Sequence, residues 1–184
     1  MGEREVYAFS SDLAGPAQAA VLRLWDALEV EFGVRAAKAA IHPHVTFSVG
    51  ASQDRNVVLH VNGECAATAR PFSVALDGVQ VFTGSAPVVF LAVRKQRELD
   101  AFHKRIFEAV TAADMQVWDH YSPGVWQPHV TLALQDTSEV MLPEMLRFLA
   151  RQRLPDAAEI KDLSAVRVVL PTHEYLATAP LSGA

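Results

Sequence analysis

Apolar residues recur along the chain with two different periods, which together predict helices alternating with strands. Three segments carry apolar residues at intervals of three and four positions, as expected of an amphipathic helix with one buried face. They cover residues 16–32, 99–110 and 141–149. Gly33 follows the first segment directly and is placed to end that helix. Residues 54–69 also have partly helical spacing, but β-branched side chains and Gly63 leave this segment ambiguous.

Alternating or continuous apolar residues predict the strands. In chain order these strands cover residues 4–10, 44–49, 72–82, 88–93, 128–134, 165–170 and 174–179. Gly50 is predicted to end the second strand, and Asp77-Gly78 to turn or bulge the third. A loop dense in aromatic and polar groups is predicted over residues 115–127, and a turn at Pro171-Thr172.

This order of elements predicts an α+β fold in which most connections are of the hairpin type. A chain of 184 residues is long enough for one sizeable core or two small lobes. No linker rich in Pro, Gly or Ser separates the two halves. We therefore expect one bilobal domain that covers residues 1–184.

One five-residue sequence motif occurs once in each half of the chain. Residues 43–47 read Pro-His-Val-Thr-Phe and residues 128–132 read Pro-His-Val-Thr-Leu, so His44 and His129 are 129 − 44 = 85 positions apart. In a strand, the histidine and the threonine two positions later point to the same face. Two pseudo-symmetric strands would bring two His/Thr pairs face to face across a cleft. A single His-x-Thr is commonplace, whereas its repetition favours a function for both copies.

Composition and charge narrow the range of functions. Hydrophobic residues make up 51% and charged residues 20%, which is typical of a globular chain. The net charge of −5 does not suit extensive binding to a polyanion, so a phosphate-bearing substrate is expected to be small or held by a local patch.

Cysteine usage and the N-terminus bear on where the chain works. The single cysteine, Cys65, excludes an internal disulfide and a cysteine-based zinc site, and fits a reducing cytoplasm. The charged N-terminus lacks the apolar core of a signal peptide, and no apolar run is long enough to cross a membrane. We expect a cytoplasmic protein without a membrane partner.

Two histidines on either side of one phosphorus atom suit in-line displacement. One takes a proton from the attacking hydroxyl or water, and the other gives a proton to the leaving oxygen. An ordinary pKa of ~6.5 lets both protonation states exist near neutral pH. The hydroxyls of Thr46 and Thr131 can donate hydrogen bonds to non-bridging oxygens as negative charge builds up. Such a site needs no metal and no other cofactor.

The repeated motif and the residues around it resemble sequences of the two-histidine (2H) phosphoesterase superfamily, in particular proteins labelled 2′-5′ RNA ligase or 2′,3′-cyclic phosphodiesterase. Residues 72–82, 88–110 and 126–132 also resemble segments of that family. The resemblance implies a pseudo-two-fold-symmetric bilobal fold in which antiparallel sheets, flanked by helices, line a central cleft. It also implies a catalytic quartet: His44, Thr46, His129 and Thr131. In hydrolysis of a cyclic phosphate, His129 would be the base and His44 the acid.

The sequence departs from the family pattern directly after the second motif. Bacterial RNA ligase-type members often carry an arginine there, whereas residues 133–136 read Ala-Leu-Gln-Asp. Together with the net charge, this departure favours hydrolysis of a small cyclic-phosphate nucleotide. The alternatives are an enzyme that joins RNA 2′,3′-cyclic phosphate ends, and a non-catalytic module that binds nucleotides or RNA. A monomer is the favoured oligomeric state.

Aromatic residues near the second motif are candidate substrate-binding groups. Trp126 and Tyr121 would stack on a nucleobase, and Phe82 would line the cleft. For Trp126 packing against the lobe is an equally good interpretation, and for Phe82 and Trp118 packing is the favoured one.

Two further histidines are expected to have structural positions. His103 lies on the apolar stripe of a predicted helix, where a packed histidine is the favoured interpretation. His42 would join His44 and His129 in a metal site only if the first motif strand began early. Pro43 argues against a regular strand at that point, and we expect no metal.

Overall fold

The computed structural model describes residues 5–40, 42–169 and 172–183. Over these residues it contains, in chain order, β1 (Glu5–Asp12), α1 (Gly15–Phe32), β2 (His44–Ser52), α2 (Arg55–Ala67), β3 (Phe72–Phe82), β4 (Val88–Val93), α3 (Arg97–Ala112), β5 (Gln116–Val117), β6 (His129–Ala133), α4 (Leu142–Leu149), β7 (Ala157–Ile160), β8 (Asp162–Val169) and β9 (Thr172–Pro180). Short 3-10 helices cover Ala36–Ala40 and Asp119–Tyr121.

The strands form two antiparallel sheets, each of which contains one copy of the repeated motif. One sheet has the order β5-β2-β1-β8-β9 and the other has the order β6-β4-β3-β7. The first motif lies on β2, between β1 and β5, and the second lies on β6, at the end of its sheet. The α+β architecture with flanking helices and antiparallel sheets is therefore confirmed.

Burial along the two motif strands follows the predicted alternation. Val45 and Phe47 of β2, and Val130 and Leu132 of β6, are buried and belong to one apolar cluster that includes residues of both sheets and all four helices. The histidine and threonine of each strand point away from this cluster and are only partly buried. Burial of the apolar faces, favourable by roughly 25 cal/mol per Å², thereby holds the polar faces away from the core.

Several element boundaries differ from the sequence predictions. The ambiguous segment is a helix, α2, whose N-terminus is capped by the Asp54 side chain accepting a hydrogen bond from the Asn56 backbone N–H. The predicted loop 115–127 contains the short β5, and the sequence pattern misses β7 because its few apolar residues are mostly alanine. Predictions for Arg4, Leu170 and Pro171 lie outside the described residues.

The prediction that Gly50 ends its strand is wrong, since β2 continues to Ser52. Gly50 pairs with Tyr7 on one side and with Val117 on the other. A Cβ at position 50 would lie 2.8 Å from the backbone oxygen of Gln116. Glycine is needed here because β5 approaches the backbone of β2 too closely for a side chain.

Gly50→Ala is expected to destabilise the protein by about 1–3 kcal/mol, because the β5 backbone must move to make room. Urea denaturation measures the change. Gly63→Ala is the matched control, because Gly63 lies inside α2 with nothing within 4 Å of an added Cβ. This control is expected to stabilise by ~0.5–1 kcal/mol. A Gly50→Ala protein as stable as wild type would contradict the close approach of β5.

Candidate functional site

The two motif histidines open their strands in the same way. His44 Nδ1 lies 2.9 Å from the carbonyl oxygen of His42, and His129 Nδ1 lies 2.7 Å from the carbonyl oxygen of Gln127. A carbonyl oxygen only accepts, so each ring carries a proton on Nδ1. In the neutral form, Nε2 of each histidine is then left with a free lone pair. Both copies therefore present the same proton acceptor.

The prolines of the two motifs support this geometry. Pro43 and Pro128 have no N–H to satisfy, and each precedes the first residue of its strand. Their carbonyl oxygens accept backbone hydrogen bonds from Leu13 at 2.7 Å and from Val93 at 3.1 Å. Each turn before a motif strand is thereby tied to a neighbouring strand or its end.

A tryptophan from the opposite half of the chain binds each motif threonine through its backbone. Trp25 of α1 donates from Nε1 to the carbonyl oxygen of Thr131, and Trp126 donates from Nε1 to the carbonyl oxygen of Thr46, both at 3.0 Å. The two tryptophans are 3% and 2% exposed. Two reciprocal hydrogen bonds thus link the halves at equivalent positions of the two motifs.

This placement corrects the stacking prediction for Trp126. One face of its indole stacks on the imidazole of His103, with ring centroids 3.8 Å apart and an interplanar angle of 5°. Phe47 lies 5.8 Å away, centroid to centroid. At 2% exposure, Trp126 is a packed residue that holds the first motif strand and leaves too little surface for a base to stack on.

His103 is buried, as predicted. Its Nε2 donates to the carbonyl oxygen of Tyr121 at 2.9 Å. Burial lowers the pKa of His103, and the hydrogen bond to Tyr121 opposes this only in part. His103 is therefore a neutral support for Trp126 and not part of the cleft.

Two adjoining cavities lie beside the motif strands, and the first of them borders both strands. The first is lined by Trp25, four alanines of the 3-10 helix 36–40, and Thr131; the second by Thr46, Trp118, Tyr121 and Tyr175. Both are also lined by Ala40, His44, Leu134, Gln135 and His173. We call these two joined cavities the cleft. It brings together His44, Thr46 and Thr131 of the predicted quartet.

His129 lines a neighbouring cavity, together with Phe82, His120, Tyr121, Val125, Trp126 and Gln127. Tyr121 lines both this cavity and the cleft. Burial is the main cause that lowers the pKa of His129, and charge on His44 lowers it further, while the hydrogen bond to Gln127 opposes both. The two motif histidines are therefore close enough to interact electrostatically, and the neutral form of His129 is favoured.

Phe82 and Tyr121 both lie beside His129. The Phe82 ring is 38% exposed, stacks on Phe90 at 4.2 Å and meets the His129 ring edge-on at 5.1 Å. Tyr121 is half-buried, and burial raises the pKa of its hydroxyl to about 12. Contact of either side chain with a substrate stays a prediction.

Sequence reasoning missed other residues of the cleft. Trp118 is predicted to pack, yet it is 44% exposed and lines the second cavity. His173 and Tyr175 belong to β9 and have no local signal, because only the pairing of β8 with β9 brings them near the motifs. Gln135 also lines both cavities of the cleft. The side chain of the next residue, Asp136, accepts hydrogen bonds from the backbone N–H groups of Arg35 and Ala36.

No group of three or more His, Cys, Asp or Glu side chains is gathered as a metal site within residues 5–40, 42–169 and 172–183. His42 contacts the ring of Tyr175 at 6.0 Å, centroid to centroid. Over the same residues, no helix is both long and apolar enough to cross a membrane.

Comparisons with known proteins agree with this architecture. The model of the 2′-5′ RNA ligase superfamily matches residues 15–168. TT0787 of Thermus thermophilus is similar in structure, with a TM-score of 0.67, 17% identity, and coverage of 98% of this chain and 99% of that one. E. coli LigT complexed with 3′-AMP gives a TM-score of 0.63 and 15% identity, again over 98% and 99% of the two chains.

A more distant structural similarity is to Usb1 of Kluyveromyces marxianus, with a TM-score of 0.51, 15% identity, and coverage of 97% of this chain and 99% of that one. No curated protein matches the sequence. At these identities the structures establish the fold, and the family model, which matches most of the chain, establishes the family.

Proposed function

The chain belongs to the 2′-5′ RNA ligase superfamily, and on that premise we propose that it is a metal-independent phosphodiesterase that opens 2′,3′-cyclic phosphates of nucleotides or RNA ends. One observation carries the proposal. Both motif histidines donate from Nδ1 to a backbone carbonyl and keep Nε2 for proton transfer, each with a threonine on the same face of its strand.

The reaction uses one neutral and one protonated histidine. His129 removes a proton from water through Nε2 as the water oxygen forms a bond to phosphorus. His44, protonated on Nε2, gives that proton to the 2′ or 3′ oxygen as its bond to phosphorus breaks. The product is a phosphate monoester with a free hydroxyl. The two histidines have then exchanged protonation states, and exchange with solvent resets them.

The environment of the two histidines supports these roles. Burial and the charge of His44 both lower the pKa of His129, which favours its neutral form and therefore the base role. Thr46 and Thr131 line the two parts of the cleft, so their hydroxyls are available to a phosphoryl group held there. Such donors stabilise the charge that develops on the non-bridging oxygens.

A small substrate fits the lining better than a long RNA strand. Among the described residues that line the cleft and the neighbouring cavity of His129, none is arginine or lysine. Binding of extended RNA relies on such cations. Structures of the similar E. coli LigT are described with 3′-AMP, NADP+ and ATP, which supports a nucleotide-sized ligand.

The direct test is hydrolysis of the four 2′,3′-cyclic nucleotides by the purified protein in EDTA. We expect turnover of at least one of them, at a rate unchanged by the chelator. RNA with a 2′,3′-cyclic phosphate end and RNA with a 5′-hydroxyl end are assayed alongside. Joining of those ends without hydrolysis would establish the ligase alternative. Binding without any turnover would establish a non-catalytic module, and loss of turnover in EDTA would overturn metal independence.

The pH dependence of turnover is expected to show an ascending limb that lies below pH 6.5, the ordinary value for histidine. This limb reports deprotonation of the base, and the pKa of His129 is lowered. It is measured as kcat/KM against pH with one cyclic nucleotide. A limb at or above pH 6.5 would contradict the assignment of His129 as the base.

A further inference from the structure

A third histidine lies in the cleft beside the motif histidine of β2. His173, on β9, lines both of the joined cavities, as His44 does. It is held there by the pairing of its backbone with Val168 of β8. Nδ1 of His173 is buried and has no hydrogen-bond partner among the described residues.

The burial of Nδ1 and its lack of a hydrogen-bond partner indicate which nitrogen of His173 carries the proton. A protonated Nδ1 would be a buried donor without an acceptor, which is costly. The His173 side chain is partly exposed and lines both cavities. Because Nδ1 is the buried nitrogen, Nε2 is the nitrogen left to meet water or a ligand that can accept a hydrogen bond. The neutral ring therefore carries its proton on Nε2, whereas His44 and His129 carry theirs on Nδ1.

The surroundings of His173 also favour its neutral form. Burial lowers the pKa of His173, and the charge of His44 lowers it further. His173 therefore does not act as a base, because the nitrogen that carries its lone pair is the buried Nδ1. It supplies one N–H donor, from the same sheet and in the same cavities as His44.

We propose that His173 is a substrate-binding residue whose Nε2–H donates to an anionic oxygen of a phosphate group held against His44. The inference rests on the proposed function, since it takes the ligand of the cleft to be a phosphate ester. The cleft linings contain no arginine or lysine among the described residues, so the neutral donors, His173, Thr46 and Thr131, carry a large share of phosphate recognition. A hydrogen bond to an ionised group is strong enough for this role.

Two substitutions separate the donor from the shape of the ring. His173→Phe keeps a planar ring but removes the donor. His173→Gln keeps an N–H at about the reach of Nε2. His60→Phe and His60→Gln are the matched controls, because His60 is exposed on α2 and its ion pair is with Glu64 of the same helix.

The first readout is independent of catalysis. Nitrogen-15 NMR of the histidine rings, assigned with the single variants, is expected to show the Nε2–H tautomer for His173 and the Nδ1–H tautomer for His44 and His129. Addition of inorganic phosphate is expected to shift the His173 Nε2–H signal. A His173 ring protonated on Nδ1, or one insensitive to phosphate that does bind, would overturn the inference.

The second readout is affinity and turnover. His173→Phe is expected to weaken inorganic phosphate binding and raise KM for the cyclic nucleotide by roughly ten- to a hundredfold, with kcat changed much less. His173→Gln is expected to stay within a few-fold of wild type, as are both His60 variants. An active wild type whose His173→Phe variant has unchanged KM and phosphate affinity would overturn the role of His173 alone. A wild type that neither binds nor hydrolyses any phosphate ester would overturn this role together with the proposed function.

Discussion

His129→Ala and His44→Ala are each expected to lower kcat for cyclic-phosphate hydrolysis by about 10²–10⁴-fold while the protein stays folded. General acid–base catalysis by one positioned group contributes this much. Each histidine sits on the polar face of its strand, outside the main apolar cluster, so its removal takes little from the core. Steady-state kinetics gives the effect, and circular dichroism with urea denaturation shows that the fold is retained.

The pH profiles of the two variants distinguish their roles. His129→Ala is expected to lose the ascending limb, because the base that must be deprotonated is gone. His44→Ala is expected to lose the descending limb, because the acid that must be protonated is gone. The two groups interact, so the limbs of the wild type belong to the pair, and the variants assign them.

The double variant is expected to be little slower than the slower single variant. An acid and a base that act in one step fail together, so their effects do not add. His60→Ala is the control, since His60 is exposed and is not among the residues that line the cleft or the cavity of His129. Undiminished turnover in either single variant would mean that the residues of the repeated motif do not form the active site.

Strand periodicity and repetition are enough to predict the two motif strands and which of their faces is polar. Val45 and Phe47 are buried, while His44 and Thr46 are only partly buried, as a period of two requires. The repeat also indicates that both copies lie in related positions. Local sequence therefore carries the information for the quartet, because each half of it sits within three residues of one strand.

Contacts between distant parts of the chain have no such local signal. The hydrogen bonds of Trp25 and Trp126 to the motif threonines span 106 and 80 positions. His173 reaches the cleft only because β9 pairs with β8 in the sheet that contains β2. The period of a helix or strand predicts which of its faces is buried. It does not predict which element of the other half packs against that face.

The apolar cluster shared by the two sheets also supports the proposal that the halves fold together as one bilobal domain. It includes Phe9 and Phe47 of one sheet and Leu91 and Leu132 of the other. The tryptophan hydrogen bonds cross the same boundary. On this view stability and the geometry of the active site depend on the same contacts, and a substitution of either tryptophan is expected to alter both.

Trp126→Ala is expected to destabilise the protein by about 3–5 kcal/mol, the usual cost of removing a large aromatic side chain from a core. Its indole is 2% exposed and contacts both His103 and Phe47, so its loss leaves a cavity that these rings only partly fill. Urea denaturation measures the change. Trp118→Ala is the comparison for stability, since Trp118 is 44% exposed and its loss is expected to cost far less.

Trp126→Phe separates the hydrogen bond from the packing. Phenylalanine keeps much of the apolar contact but removes the Nε1–H that donates to the carbonyl oxygen of Thr46. We expect a smaller loss of stability, of about 1–3 kcal/mol, together with a fall in kcat/KM of up to about a hundredfold as the first motif strand shifts. Trp25→Phe is the symmetric test, because Trp25 makes the equivalent bond to Thr131. If both variants lost stability but retained full kcat/KM, the reciprocal bonds would serve folding alone and the motif strands would be positioned by packing.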